Sequence, residues 1–130
     1  MISDRELFDG FPPKVYRNRA LLDLANGQKC VRCGARRTGE TVPAHYHGKW
    51  ADLFGKALSQ KADDFLTADI CGECHSAFDS KTLTAGGWNN EDEKALELMI
   101  CVARTWRVRL HQKKLVFVVN KRARVLEAMP

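Results

Sequence analysis

Cys30-Val31-Arg32-Cys33 and Cys71-Gly72-Glu73-Cys74-His75 decide the reading of this chain. Two residues between paired cysteines let both sulfurs reach one ion, and two such pairs supply the closed four-thiolate set of a structural zinc site. Zinc ligation of this kind carries an apparent free energy of about 10–16 kcal/mol at neutral pH in small peptides. A chain of 130 residues buries only about 65–70% of the surface it exposes when unfolded, so a structural metal would weigh heavily in its stability. No thioredoxin-like βαβ pattern surrounds either pair, which argues against a redox dithiol. Cys71 to His75 also spells the c-type haem attachment sequence. That reading leaves the first pair unexplained and usually accompanies export, so it is set aside.

Outward from the knuckles, Thr41-Val42-Pro43-Ala44-His45 and Phe65-Leu66-Thr67-Ala68-Asp69-Ile70 are strand candidates, the first demoted to an edge by Pro43. Residues 72–80 are expected to form a helix leaving the second knuckle. Asn90 should cap a longer helix, with Glu91, Asp92 and Glu93 in its first turn. Ala95, Met99, Val102, Ala103, Trp106 and Leu110 recur at helical spacing and are the expected buried stripe. Cys101, on or beside that face, reads as core. Leu115 to Val119 reads as a strand, with basic Lys121-Arg122-Ala123-Arg124 beyond it. Before the knuckles, Ser3-Asp4-Arg5-Glu6 is a capping-box pattern for a short helix ending near Gly10. Phe11-Pro12-Pro13 turns or extends, and residues 17–25 look helical up to the Asn26-Gly27 stop.

His45 ends the first strand candidate, His47 follows it, and His75 adjoins the second knuckle. On a helix over 72–80, His75 and Asp79 stand at i and i+4 and share a face. A histidine and a carboxylate so placed can hold a divalent cation, and a second imidazole arriving from a strand end can activate water beside it. Phosphodiester hydrolysis needs that combination. His45 is the first choice of base and His47 the alternative. A pure structural knuckle needs none of these residues.

The arrangement of two knuckles, a strand ending in histidine, a second strand and a histidine-bearing helix is similar to the HNH family of ββα-metal nucleases. Residues 39–119 more closely resemble the prophage-encoded YbcO-like nuclease family, through Glu40-Thr41-Val42-Pro43-Ala44-His45, Lys61-Ala62-Asp63-Asp64, Cys71-Gly72-Glu73-Cys74-His75 and Asp79-Ser80-Lys81-Thr82. The resemblance implies a two-stranded ribbon and helix gripping one catalytic ion, Mg²⁺ or Mn²⁺ with Zn²⁺ as an alternative, next to a structural zinc. It makes His45 the general base, His75 a metal ligand, Asp64 the occupant of the orienting-Asn position, and Asp79 a second ligand or structural acid. Ala44 and Asp64 depart from the family pattern, so Asp63, Asp64 or His47 would complete the metal set. The implied substrate is DNA, branched or single-stranded forms included, in phage recombination, replication or packaging.

The expected fold class is therefore α+β: a small zinc-stabilised ββα-metal core over residues 30–82. A helical extension over 1–29 precedes it, and a C-terminal helix, strand and basic tail over 83–130 pack on it as one domain. The net charge of +5 is unevenly spread. Residues 1–40 carry eight Lys or Arg against five acids, residues 41–100 five against ten, and residues 101–130 eight against one. Basic flanks around a carboxylate-rich centre suit phosphate contacts beside a cation site, and suit ordinary solvated faces equally. The phosphate-gripping candidates are Arg32, Arg36, Arg37, Lys49, Arg104 and Arg107, with Arg17, Arg19, Arg109, Lys113 and Lys114 as further cations. Trp50 and Phe54 are available to stack on an unpaired base or to pack. No secretory signal or membrane-spanning run is visible, so a soluble cytoplasmic protein is expected, with a homodimer left open. The alternative to a nuclease is a zinc module that binds nucleic acid without cutting it.

Overall fold

The computed structural model describes residues 15–34, 41–57, 60–120 and 125–129. The expected helix over 3–10, the Phe11-Pro12-Pro13 turn, Arg36, Arg37 and the basic segment 121–124 lie outside them. The architecture is mixed α and β. Strands β1 (Val42–His45) and β2 (Thr67–Ile70) pair antiparallel, with Val42 opposite Ile70 and His45 opposite Thr67. The first helix, α1 (Arg19–Asp23), is shorter than the one expected over 17–25 and is capped by Asn18. Helix α2 (Gly72–Asp79) follows β2 directly. Pro43 sits in β1 where an edge strand tolerates its missing N–H. β2 is buried at all four positions because β1 flanks it and the long helix α3 (Glu91–His111) packs on it.

Helix α2 buries Cys74, Ala77 and Phe78, the i, i+3, i+4 stripe of a short amphipathic helix. Helix α3 starts where expected: the Asn90 side chain accepts from the Glu93 N–H at 2.9 Å. Glu93 reaches back to accept from the Asn89 N–H at 2.8 Å, which satisfies a further donor at the helix start. Its buried positions are Leu98, Cys101, Val102, Thr105 and Arg109. The expected stripe is therefore rotated. Val102 belongs to it, Ala103 is exposed, and Ala95, Met99, Trp106 and Leu110 are half-buried. An apolar pattern passes over Thr105 and Arg109 as solvent positions, whereas both are buried by polar partners on β2. Arg109 is 1% exposed, which removes it from the phosphate-gripping cations.

The core gathers Ala44 and Tyr46 from the first strand and its exit, Ala68 and Ile70 from β2, and Phe78 from α2. Trp88 from the following loop joins Leu98, Cys101 and Val102 from α3. The first knuckle joins through Cys30, and the Val31 N–H donates to the Asp69 carbonyl at 2.9 Å. Between β1 and β2 a 3-10 turn (Ala51–Phe54) closes on Gly55, whose φ is +86° and whose added Cβ would meet Val15 Cγ2 at 2.5 Å. Only glycine fits that close approach. Strand β3 (Val116–Asn120) appears as expected, but it pairs antiparallel with β4 (Val125–Met129) in a separate two-stranded sheet. Residues 125–129, expected as part of a tail, form that second strand.

Candidate metal centre

The two knuckles meet. One ligand atom from each of Cys30, Cys33, Cys71 and Cys74 lies within 4.8 Å of all the others, and Cys33 Sγ stands 3.8 Å from Cys71 Sγ. Four thiolates tetrahedral about zinc at about 2.3 Å have sulfurs about 3.8 Å apart, so the set fits a structural metal such as zinc. Local geometry assembles it from both sides. The Gly34 N–H donates to the Cys30 carbonyl at 2.9 Å and the Cys33 N–H to Cys30 Sγ at 3.5 Å, while Cys71 caps α2 and places Cys74 in its first turn. Arg32 donates to Cys74 Sγ at 3.6 Å. Burial pushes the Cys30 thiol up, but N–H donors from Cys33, Cys71 and Arg32 outweigh it and bring it down to about 7. Burial, with thiol contacts from Cys71 and Cys30, pushes Cys74 up to about 12 against the pull of Arg32. Cys101 is buried in the core, as expected.

Arg32, expected to face phosphate, is engaged inward instead. Its Nε donates to Glu97 at 2.7 Å, its Nη2 to the Gly86 carbonyl at 3.0 Å, and its guanidinium lies 5.1 Å from the Trp88 ring centroid. Glu97 also accepts from the Trp88 indole N–H. Glu97 thereby supports the cysteine set through Arg32. Sequence alone does not single it out, since only the fold brings it to that guanidinium.

The histidines fall into two sets. His47 Nε2 lies 3.3 Å from one oxygen of Asp79, and His75 Nε2 lies 3.2 Å from the other. The expected i, i+4 pair on α2 is thus present, and His47 joins it from beyond the end of β1. Burial holds His47 below the usual imidazole range against the attraction of Asp79, with Lys94, His75 and Lys56 adding to the lowering. The Asp79 side chain is 56% exposed, so this set opens to solvent. Separately, His45 Nε2 lies 2.8 Å from Asp64 Oδ1. Asp64, 3% exposed, also accepts from Arg17 Nη1 at 3.1 Å and from the Asn18 N–H at 2.7 Å. Burial alone would raise its carboxyl, but hydrogen bonds from His45 and Asn18 and the nearby Arg17 charge hold it below the ordinary carboxylate value. Asp63 accepts from the Tyr16 N–H at 2.7 Å and is raised, chiefly by burial. Among the described residues no hydrogen bond or ion pair joins the two histidine sets. His45 and His47 are two residues apart, however, so their Cα atoms lie within about 7 Å.

Among the other candidates, Lys49 pairs with Asp92 at 2.7 Å and lies 5.7 Å from the ring centroid of Trp50, which is 62% exposed with φ +69°. Phe54 packs against the core. Arg104 and Arg107 are exposed on α3, and Arg104 donates to the Val31 carbonyl at 3.3 Å. Arg17, read as a phosphate cation, clamps Asp64 and the carbonyls of Lys61 and Ala62. No helix among the described residues is long and apolar enough to cross a membrane. No family model matches the chain, and no curated protein or solved structure is significantly similar to it.

Proposed function

We propose that the protein is a metal-dependent endonuclease that hydrolyses DNA phosphodiester bonds, with an HNH-like ββα core held by a structural zinc on Cys30, Cys33, Cys71 and Cys74. The observation that carries this reading is the gathering of His47, His75 and Asp79 on a solvent-open face, in addition to a complete four-cysteine set. A zinc knuckle gains nothing from three further ligating side chains. His47, His75 and Asp79 would supply the ligands of a divalent cation. Bound there, Mg²⁺ or Mn²⁺ would supply Lewis-acid stabilisation of the scissile phosphate. His45 remains the preferred base. The carboxylate of Asp64 fixes one ring nitrogen, which leaves Nδ1 to take a proton from the attacking water.

A second reading has its own support: both histidine sets are already satisfied by carboxylates, as in a zinc module that binds nucleic acid without cutting it. Cleavage of supercoiled plasmid, branched duplex and single-stranded DNA with added Mg²⁺ or Mn²⁺ separates the two. The nuclease predicts cutting that His75→Ala and Asp79→Ala abolish and His45→Ala slows by about 10²–10⁴-fold, with one zinc retained in each variant. Binding without cutting of any substrate would leave the zinc module.

A further inference from the structure

Two cavities, of about 470 and 540 Å³, share Val31, Val108 and Gln112. Together they form one trough between the first knuckle and the C-terminal half of α3. Lys29, Arg104, Arg107, His111 and Lys114 line it, and no carboxylate is among its described lining residues. Elsewhere two exposed cations are paired with acids, Lys49 with Asp92 and Arg19 with Asp23.

We propose that this trough is a phosphate-backbone site for nucleic acid, separate from the histidine–carboxylate sets. Arg104, Arg107 and His111 stand at i, i+3 and i+7, so they form a row along one face of α3 about 10 Å long. One strand of B-form duplex advances about 3.4 Å of axis per phosphate while winding about that axis, so a row of this length reaches about two neighbouring phosphates. Guanidinium forks suit phosphate oxygens in two-point contacts. Arg104 also donates an N–H to the Val31 carbonyl at 3.3 Å, which ties the row to the knuckle. An acidic peptide is the less fitting occupant. Among the described residues the large exposed apolar side chains (Tyr16, Trp50, Leu53, Leu96, Ile100 and Val116) lie off the trough, whose own apolar lining is Val31 and Val108. A peptide interface draws most of its energy from apolar anchors of that kind.

The site rests on the nucleic-acid part of the proposed function and not on cleavage. Its test is the salt dependence of binding, read by fluorescence anisotropy of a labelled 20-base-pair duplex. The zinc-loaded full chain is used without Mg²⁺ or Mn²⁺. The triple variant Arg104→Ala, Arg107→Ala, Lys114→Ala should flatten the slope of log affinity against log salt by about 0.9 for each phosphate that is no longer neutralised. An affinity at least tenfold weaker at 100 mM salt should accompany it. The double variant Arg107→Ala, Lys114→Ala, which spares the Val31 contact, should show about two-thirds of the change. The control double Lys61→Ala, Lys81→Ala removes as much charge elsewhere as the trough double does and should move the slope far less. Equal effects in both doubles, or none in the trough triple, would overturn the trough. So would binding of labelled poly-glutamate by a protein that binds no nucleic acid. A wild-type slope with the expected weakening in the variants but no cleavage under Mg²⁺ would support the trough and remove the nuclease alone.

Discussion

Asp64 shows how much one buried carboxylate can organise. It accepts from His45, Arg17 and the Asn18 N–H, and so joins the end of β1 to the segment that enters α1. Because its pKa is held down, it stays ionised through neutral pH and acts only as an acceptor. Asp64→Asn keeps the shape but must turn an N–H₂ toward one of those donors. Hydrogen bonds to charged groups contribute about 1.5–3 kcal/mol each. The variant is therefore expected to lose about 2–3 kcal/mol in urea unfolding of the zinc-loaded protein. If His45 is the base, cleavage should fall further than stability explains, because the ring loses its orientation. Unchanged stability would mean that Arg17 and Asn18 find other acceptors and that Asp64 positions nothing. His47 has no equivalent buried acceptor, since its partner Asp79 is exposed. That contrast is the physical ground for preferring His45 as the oriented base and His47 as a ligand.

At the scale of elements, β2 and α3 are joined by polar groups where a purely apolar seam was expected. The Asp69 carbonyl accepts from Val31 of the first knuckle, its N–H donates to Thr105 Oγ1 at 2.9 Å, and its carboxylate accepts from Arg109 Nη2 at 2.8 Å. Burial pushes the Asp69 carboxyl up, and Arg109 opposes it. Both side chains are almost wholly buried, and Arg109 Nε has no partner among the described residues. Removing one member of such a pair strands the other in a dry interior, whereas replacing both can be nearly neutral. Arg109→Met is thus expected to cost about 3–5 kcal/mol, and Arg109→Met with Asp69→Leu to regain most of it, by denaturant titration of the zinc-loaded chain. Equal losses in the single and double variants would show that the pair contributes more than its own desolvation. The same seam explains what stays unread in the sequence. Strands, helix starts and the Cys-x-x-Cys spacing follow from local rules, so β1, β2, α2 and the Asn90 cap are legible. Thr105 and Arg109 look like solvent positions on a helical wheel, and only a partner 36 or 40 residues away makes them core. The pairing of His47 rather than His45 with Asp79 depends on where the chain turns after β1, which no spacing rule specifies. β4 is hidden by the basic run that precedes it.

At the scale of the whole molecule, the four cysteines close a gap of 37 residues between the knuckles and bring the strand β2, the helix α2 and the first knuckle to one point. The contacts around them depend on that closure. Val31 reaches Asp69, Arg32 reaches Glu97 and Cys74, and Arg104 reaches Val31 only when the first knuckle is docked. A metal affinity of about 10–16 kcal/mol would equal or exceed the whole stability of an ordinary domain of this size. Removing the ion should therefore unfold the core and not merely loosen a loop. The thiols also make that affinity depend on pH. Near pH 6 the thiols carry protons that the metal must displace, both at the ordinary value of a free cysteine and in the folded arrangement, where Cys74 is pushed up to about 12. Protons released on binding mean affinity that rises with pH. Zinc competition titrations are expected to give one zinc per chain and an apparent affinity that falls by at least about tenfold per unit from pH 7 to pH 6. Far-UV circular dichroism should report loss of helix on chelation, recovered on zinc return, in wild type and in His75→Ala alike. Cys30→Ser should behave as the chelated protein does. Retention of the fold after complete chelation would show that the apolar core suffices without a metal, and that the cysteines serve another end.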